Sequence, residues 1–272
     1  MKKILFFAML MCTFSMSALT QTAYFRVGLG AAIGTANSLN NSHDGLGNND
    51  QVTVKTGGYG TGMPFVLAGG INLGDHFGIE LGVDYFMGFA SKWYDKSNSS
   101  TFDYKTKGSM LSLVPAFVTR FDLYGIKPYA RFGIMIGIMN SVVTSAEGTS
   151  NPESRASGVP ITYKIKDNGG VALGVQAALG AELELSNSLS LFGEFQLYGI
   201  SYAPKKGAYK EYTVGGVDQL DDMKTRSKEW KYLKEVDYNK TISADDPDER
   251  PKTKYNFNNV GLVVGVKINL GK

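Results

Sequence analysis

Apolar and polar residues alternate with a period of two along most of this chain. The pattern is longest in VALGVQAALGAELELSNSLSLFGEFQLYGISY, residues 171–202. From Val171 to Leu185 the odd positions are Val, Leu, Val, Ala, Leu, Ala, Leu and Leu. The even positions are Ala172, Gly174, Gln176, Ala178, Gly180, Glu182 and Glu184. After the polar stretch Ser186-Asn187-Ser188 the alternation resumes, with Leu189, Leu191, Gly193, Phe195 and Leu197 against Ser190, Phe192, Glu194, Gln196 and Tyr198. Successive side chains of a strand point to opposite faces. The segment therefore reads as a long β-hairpin with one apolar face and one small-or-polar face.

The same pattern predicts eight strands in all. Besides the hairpin they cover about 24–36, 60–73, 77–89, 108–122, 128–142 and 258–270. In the third, Phe77, Ile79, Leu81, Val83, Tyr85, Met87 and Phe89 oppose Gly78, Glu80, Gly82, Asp84, Phe86 and Gly88. Each strand reaches the roughly 9–11 residues that a tilted transmembrane β-strand needs. The connections alternate in length. Short ones are 74–76, 123–127 and 186–188; long ones are about 37–59, 90–107, 143–168 and 203–257. An even strand count with short turns at one end and long loops at the other is the pattern of an outer-membrane up-and-down barrel.

Alternation alone leaves open which face is inside, and a secreted soluble barrel is the rival. The interior of an eight-stranded barrel is only just filled by side chains. The glycine-rich faces fit it; the faces with about five large residues per strand do not. Aromatics also gather near strand ends: Phe25, Phe77, Phe121, Tyr124 and Tyr129 at one level, Phe89, Trp93, Tyr94 and Phe102 at the other. That suggests interfacial girdles. The apolar faces are thus expected to meet lipid.

Composition sharpens this picture. The opening MKKILFFAMLMCTFSMSALT has a basic start, a short apolar run and small residues, so residues 1–20 read as a secretory signal peptide and 21–272 as the barrel domain. The single Cys12 would leave with that peptide, which excludes disulfide and thiolate chemistry in the remainder. Without Lys2 and Lys3 the net charge is near neutral, which argues against nucleic acid as a partner.

The eight alternating strands, the signal-like start and the loop asymmetry resemble the small outer-membrane β-barrels of Gram-negative bacteria. The outer membrane protein beta-barrel domain family is the nearest match, beside OmpA-, OmpX- and OmpW-type barrels. The resemblance implies the outer membrane as location, and lipid, lipopolysaccharide and the outer-membrane assembly machinery as partners. It also implies a monomer, with an extracellular ligand met through the loops. The chain departs from such barrels at its end, Ile268-Asn269-Leu270-Gly271-Lys272, where an aromatic residue is common.

Candidate chemistry is sparse, and no catalytic, cofactor or metal site is expected. Gly28-Leu29-Gly30-Ala31-Ala32-Ile33-Gly34 imitates a dinucleotide fingerprint but lacks the helix that must follow it. His76 falls in a short turn. His43 lies in an Asn/Gly/Ser-rich loop expected to position no nucleophile, which weighs against a lipid-modifying enzyme. Pro115 removes a ladder donor mid-strand, so a bulge is expected near it. The segment 203–257 carries 12 Lys/Arg and 11 Asp/Glu. It is expected to cap the barrel either as a helix over about 218–236 or as a hairpin through Tyr209, Tyr212 and Val214.

The predicted inward faces hold a set of charges expected to form a network that plugs the lumen: Arg26, Glu80, Asp84, Arg120, Arg131, Glu182, Glu194 and Lys267. Asp122 and Glu184, near strand ends, are expected to be wetted. Charges in a narrow lumen must be paired. By height, Arg120 and Arg131 should find Glu182 and Glu80, and coupling is expected between Arg131 and Glu182. The reading is a plugged barrel acting structurally or through its loops. The alternative is a narrow pore or conduit for small or hydrophobic molecules.

Overall fold

The computed structural model describes residues 23–35, 37–38, 42–45, 51–53, 56–57, 59–97, 100–150 and 158–270. Cys12 and the predicted signal peptide lie outside these. Twelve strands build a ring and the sheet above it: β1 (Ala23–Gly34), β2 (Gly62–Leu73), β3 (Phe77–Gly88), β4 (Ser91–Ser97), β5 (Ser100–Arg120), β6 (Ile126–Ser150), β7 (Val159–Asn168), β8 (Ala172–Glu184), β9 (Leu189–Tyr202), β10 (Lys206–Val214), β11 (Glu229–Leu233) and β12 (Asn259–Asn269).

Eight of them close the ring. Each of β1, β2, β3, β5, β6, β8, β9 and β12 pairs antiparallel with the next, and β12 returns to β1 through Val27↔Val266 and its neighbours. Closure leaves no edge in the ring, so every ladder donor and acceptor can be satisfied without water. The short connections are tight. In Leu123–Ile126 both central residues have positive φ, Tyr124 at 50° and Gly125 at 91°, the twist that joins two adjacent strands in a two-residue hairpin.

The faces sort opposite to those of a soluble protein. Large apolar side chains stand exposed on the outside, among them Leu81 at 58%, Phe132 at 57%, Leu179 at 66% and Val264 at 67%. Inside, the alternate residues are buried, and many are polar or charged. A water-soluble barrel would not leave a belt of Leu, Ile and Phe in solvent while burying Arg, Glu and Lys.

Two of the segments expected as loops, about 90–107 and 143–168, are largely strand over their described residues. β5 runs for 21 residues and β6 for 25, roughly twice the 12 of β2 and β3. Their pairing continues to Ser100↔Ser150. β4 pairs with β5, β7 with β6, β10 with β7, and β11 with β10. Together they form a β-sheet crown above one side of the barrel. Thus 91–97, 100–107 and most of the described part of 143–168 are crown, not loop. Alternation persists in β7, where Ile161, Tyr163 and Ile165 oppose Thr162, Lys164 and Lys166, but it is weak over 143–150 of β6, where the backbone still favours a ladder over separate solvation.

Two further expectations are corrected. The helix over 218–236 reduces to one turn, α1 (Thr225–Lys228), because Trp230 is buried at 2% within β11. The hairpin alternative is closer: Val214 pairs with Val217 across Gly215-Gly216. Its Tyr212, however, sits opposite Tyr163 of β7 rather than continuing the ladder of β9 and β12. No register shift occurs at Pro115, which stands opposite Leu81 of β3. On its other side the β5–β6 register is unchanged from Gly133↔Ala116 to Ile136↔Leu113, and the shift comes later, between Gly137 and Met139. That bulge moves the inward face of β6 from odd to even positions, so that Val142 and Ala146 are buried at 1% each.

Candidate functional site

The ring brings all eight predicted lumen charges inside, each between 2% and 6% exposed. They form a connected chain. At its centre Glu194 accepts from Arg26 Nη1 at 3.0 Å, Arg131 Nη2 at 2.8 Å and Tyr129 OH at 2.8 Å, and Gln196 donates to it as well. Glu80 lies 3.0 Å from Arg26 Nε and 3.5 Å from Arg131 Nη1. Two arginines and two glutamates from β1, β3, β6 and β9 therefore cross-link the lumen at one level. Phe192 packs 4.9 Å from the Arg26 guanidinium, a cation–π contact within the same knot.

The chain continues toward the short-turn end. Tyr24 OH donates to Glu80 at 3.2 Å and accepts from Arg120 Nη2 at 2.8 Å. Arg120 also bonds Asn72 Oδ1 and lies 3.8 Å from Glu182, which takes Lys267 Nζ at 2.6 Å. Below is a wet vestibule of about 600 Å³, where Lys127 holds Glu184 at 2.5 Å and lies 4.0 Å from Asp122. His76 sits at this mouth, with Nδ1 3.3 Å from the Arg120 carbonyl.

The contacts expected by height form, Arg120 with Glu182 at 3.8 Å and Arg131 with Glu80 at 3.5 Å. The expected coupling of Arg131 to Glu182 does not: Arg131 turns to Glu80, Glu194 and Gln176. Asp84 takes no cation among the described residues; Gln176 Nε2 and Tyr198 OH donate to it at 3.1 and 2.9 Å. The reason is desolvation. A carboxylate on β3 near the apolar half of the lumen meets a neutral amide and phenol, which bring partners without a second desolvated charge. Tyr24, Tyr129, Gln176 and Tyr198 were not in the predicted set. Their inward parity was visible, but polar neutral residues draw no attention until their partners are known.

Above Asp84 the lumen becomes apolar. Phe86, Met110, Val114, Met135, Val142, Ile200, Tyr202 and Phe257 form one buried cluster. The space left beside Asp84 is about 10 Å³. Phe257 comes from the end of the long segment after β9 and stacks edge-on against Phe86, with Tyr59 and Tyr202 beside it.

That long segment is held to the crown by Asp167 of β7. Tyr255 OH donates to its Oδ2 at 2.6 Å and Tyr232 OH to its Oδ1 at 2.9 Å. Arg250 lies over the Trp230 ring at 3.8 Å. Burial raises the Asp167 carboxyl above its usual 3.8, and the two phenol hydrogen bonds oppose this without cancelling it. The docked segment then binds the Asp167 proton more tightly than the undocked one. Docking is strongest below the ordinary value and weakens as pH rises through the raised one. Hydrogen exchange over 229–257, corrected for intrinsic rate, should accordingly slow on acidification. Asp167→Asn should flatten that profile; an unchanged pH dependence would place the titrating group elsewhere.

Two sequence candidates lie outside this network, the glycine run and His43. Gly28 and Gly30 face the lumen, and a Cβ on Gly28 would come within 2.9 Å of Val263 and Phe192, so this glycine serves packing. His43 is not in a structureless loop: it lies on the short strand Ser42–Gly45, which pairs with β4, and its Nδ1 is 3.0 Å from Asp95 Oδ1.

The family model for the outer membrane protein beta-barrel domain matches residues 6–226. The match takes in seven of the eight ring strands and stops before β12, which the ladder to β1 and β9 supplies. No curated protein matches the sequence. Similar solved structures include a major outer membrane protein from Thermus thermophilus, at 15% identity and a TM-score of 0.42, covering 93% of this chain and 100% of that one. Ail, the attachment invasion locus protein of Yersinia pestis, shows 8% identity and a TM-score of 0.33, covering 91% and 99%. CarO2 of Acinetobacter baumannii shows 16% and 0.31, covering 90% and 99%. With an outward apolar belt, a closed antiparallel ring and a family match over most of its length, the chain belongs to the outer membrane protein beta-barrel domain family and resides in the cell outer membrane.

Proposed function

We propose that this barrel has a closed lumen and works through its extracellular crown rather than as a pore. The observation that carries the reading is the Arg26–Glu80–Arg131–Glu194 knot, which joins four strands across the lumen. An eight-stranded ring leaves room for side chains and little else, and the apolar cluster with Phe257 fills the level above. What remains to meet a partner is the crown, a rigid sheet carrying long connections, where binding is usually found. In this reading residues 1–20 are a cleaved signal peptide. The rest is one monomeric, non-enzymatic domain that the outer-membrane assembly machinery inserts among lipid and lipopolysaccharide.

Planar-bilayer recording of the purified, folded barrel tests this. The expected trace has no sustained open-channel current. A steady conductance that Glu194→Gln or Arg131→Gln alters in size would show an open path through the knot and move the protein to the pore-forming class.

A further inference from the structure

Pro115 opens the hydrogen-bond ladder of the ring at one point of its lipid-facing wall. Arg120 N donates to the His76 carbonyl at 2.7 Å and Phe121 N to the Pro128 carbonyl at 3.0 Å. The backbone groups of successive residues point alternately to the two neighbouring strands. Even positions of β5 therefore bond toward β3 and odd ones toward β6. The register that pairs Phe117 with Phe132 and Ala116 with Gly133 sets Pro115 against Ile134. Proline has no N–H, so the Ile134 carbonyl lacks its ladder donor. The β5–β6 pairing skips this step, passing from Gly133↔Ala116 to Ile136↔Leu113. On the other side the ladder with β3 runs unbroken through Leu81↔Pro115.

A groove of about 700 Å³ crosses the same seam. Its walls are apolar, with Phe25, Leu81, Phe117, Phe132 and Leu270 among them. Gly69, which stands opposite both Phe25 and Leu81, leaves a gap between these side chains. Ala116 and Gly133 also line the groove, although both positions face the lumen and are buried. What the groove meets there is main chain, beside the unpaired carbonyl. Pro115 lies midway between Phe121, at the short-turn end, and Ser109, where the outward face of β5 turns polar. The carbonyl is thus near the bilayer midplane. From it the groove descends to Leu270, whose N–H bonds the Ala23 carbonyl at 2.7 Å, at the end where such barrels meet the periplasm.

An unpaired carbonyl facing hydrocarbon is costly, because no water is there to satisfy it. Ordinary phospholipid does not relieve that cost: its donors stay at the interface and its acyl chains have none. The molecule that does relieve it carries a hydroxyl inside its apolar body. We propose that the groove holds a fatty acyl chain hydroxylated near its middle, with its head at the periplasmic surface and its hydroxyl donating to the Ile134 carbonyl. Half of a hydrocarbon layer about 30 Å thick separates the two, so the hydroxyl belongs roughly twelve carbons from the head. The site lies on the outer wall. It stands whether or not the lumen conducts and whether or not the crown binds a partner.

The test offers the full folded barrel, in phosphatidylcholine nanodiscs, either stearate or stearate hydroxylated at its twelfth carbon. Acid retained per barrel is read by mass spectrometry. The wild type should hold the hydroxylated acid about five-fold more strongly, the worth of one added hydrogen bond. The Met135 amide nitrogen, joined to the Ile134 carbonyl, should shift in the NMR spectrum with that acid alone. Pro115→Ala returns the missing N–H, so it should fold and hold both acids equally. Gly69→Val fills the gap, since even a Cβ there lies 3.2 Å from the Phe25 ring, and should lower retention of both. Gly193→Ala, with no atom within 4 Å of its new Cβ, should change nothing. Equal retention of the two acids by the wild type, a preference that survives in Pro115→Ala, or an unmoved Met135 amide would overturn the proposal. A Met135 shift that follows barrel dimerisation without any acid would overturn it too, and give the carbonyl to a second copy of the chain.

Discussion

Glu194→Ala should be the most damaging single substitution in the lumen, costing about 3–5 kcal/mol of unfolding free energy. The side chain is buried between Arg26 and Arg131, at 3.0 and 2.8 Å, and also takes the Tyr129 hydroxyl. Removing it leaves two guanidinium groups sharing Glu80 in a water-poor interior. Replacing both members of a buried pair is gentler than removing one, because no orphan charge remains. Arg131→Ala/Glu194→Ala should then cost less than the sum of its single changes, by a coupling of about 0.5–3 kcal/mol. Arg131→Ala/Glu182→Ala should be close to additive, since Glu182 serves Lys267 and Arg120 instead. Urea midpoints of the folded protein in lipid vesicles measure the three single and two double variants. A wild-type midpoint for Glu194→Ala would show that the knot contributes nothing to stability.

On the opposite face, Leu179→Arg should block insertion or cost about 2–4 kcal/mol, the penalty of a guanidinium near the bilayer midplane on a barrel's outer wall. Leu179 is 66% exposed and lies midway along β8. Leu179→Ala should be mild, because no cavity forms where lipid fills the gap. Gly180→Ala, one residue away, should fail for a different reason. Its Cβ would come within 2.6 Å of the Tyr129 ring and 2.7 Å of the Gly193 carbonyl. Overpacking of that kind costs about 1–3 kcal/mol. Insertion into vesicles, followed by the gel mobility of unheated samples, separates the two. If Leu179→Arg inserts as readily as Leu179→Ala, residue 179 does not face lipid.

The ring and its polarity are legible in the residue pattern alone. Period-two alternation survives wherever one face meets lipid and the other a packed lumen, because each environment rejects the other's residues. That is why Leu179 and Gly180, or Leu81 and Glu80, could be assigned to opposite faces by parity alone. The same parity placed the eight charges inward. Height along the strands suggested Glu182 for Arg120 and Glu80 for Arg131, but not every partner: Arg131 and Glu182 lie on neighbouring strands, yet shear and side-chain reach send one to Glu194 and the other to Lys267. Nor could it show that Asp84 would settle on Gln176 and Tyr198. The crown is less legible: over 143–150 of β6 small and polar residues occupy both faces and the alternation that marks a strand weakens, although β7 keeps it through Ile161, Tyr163 and Ile165. There cross-strand register does what hydrophobicity does below. It aligns Lys107 with Lys166 on one face and buries Asp167 on the other. Tyr232 and Tyr255, 65 and 88 positions further along the chain, reach that carboxylate only because the ladder brings their segment back to β7.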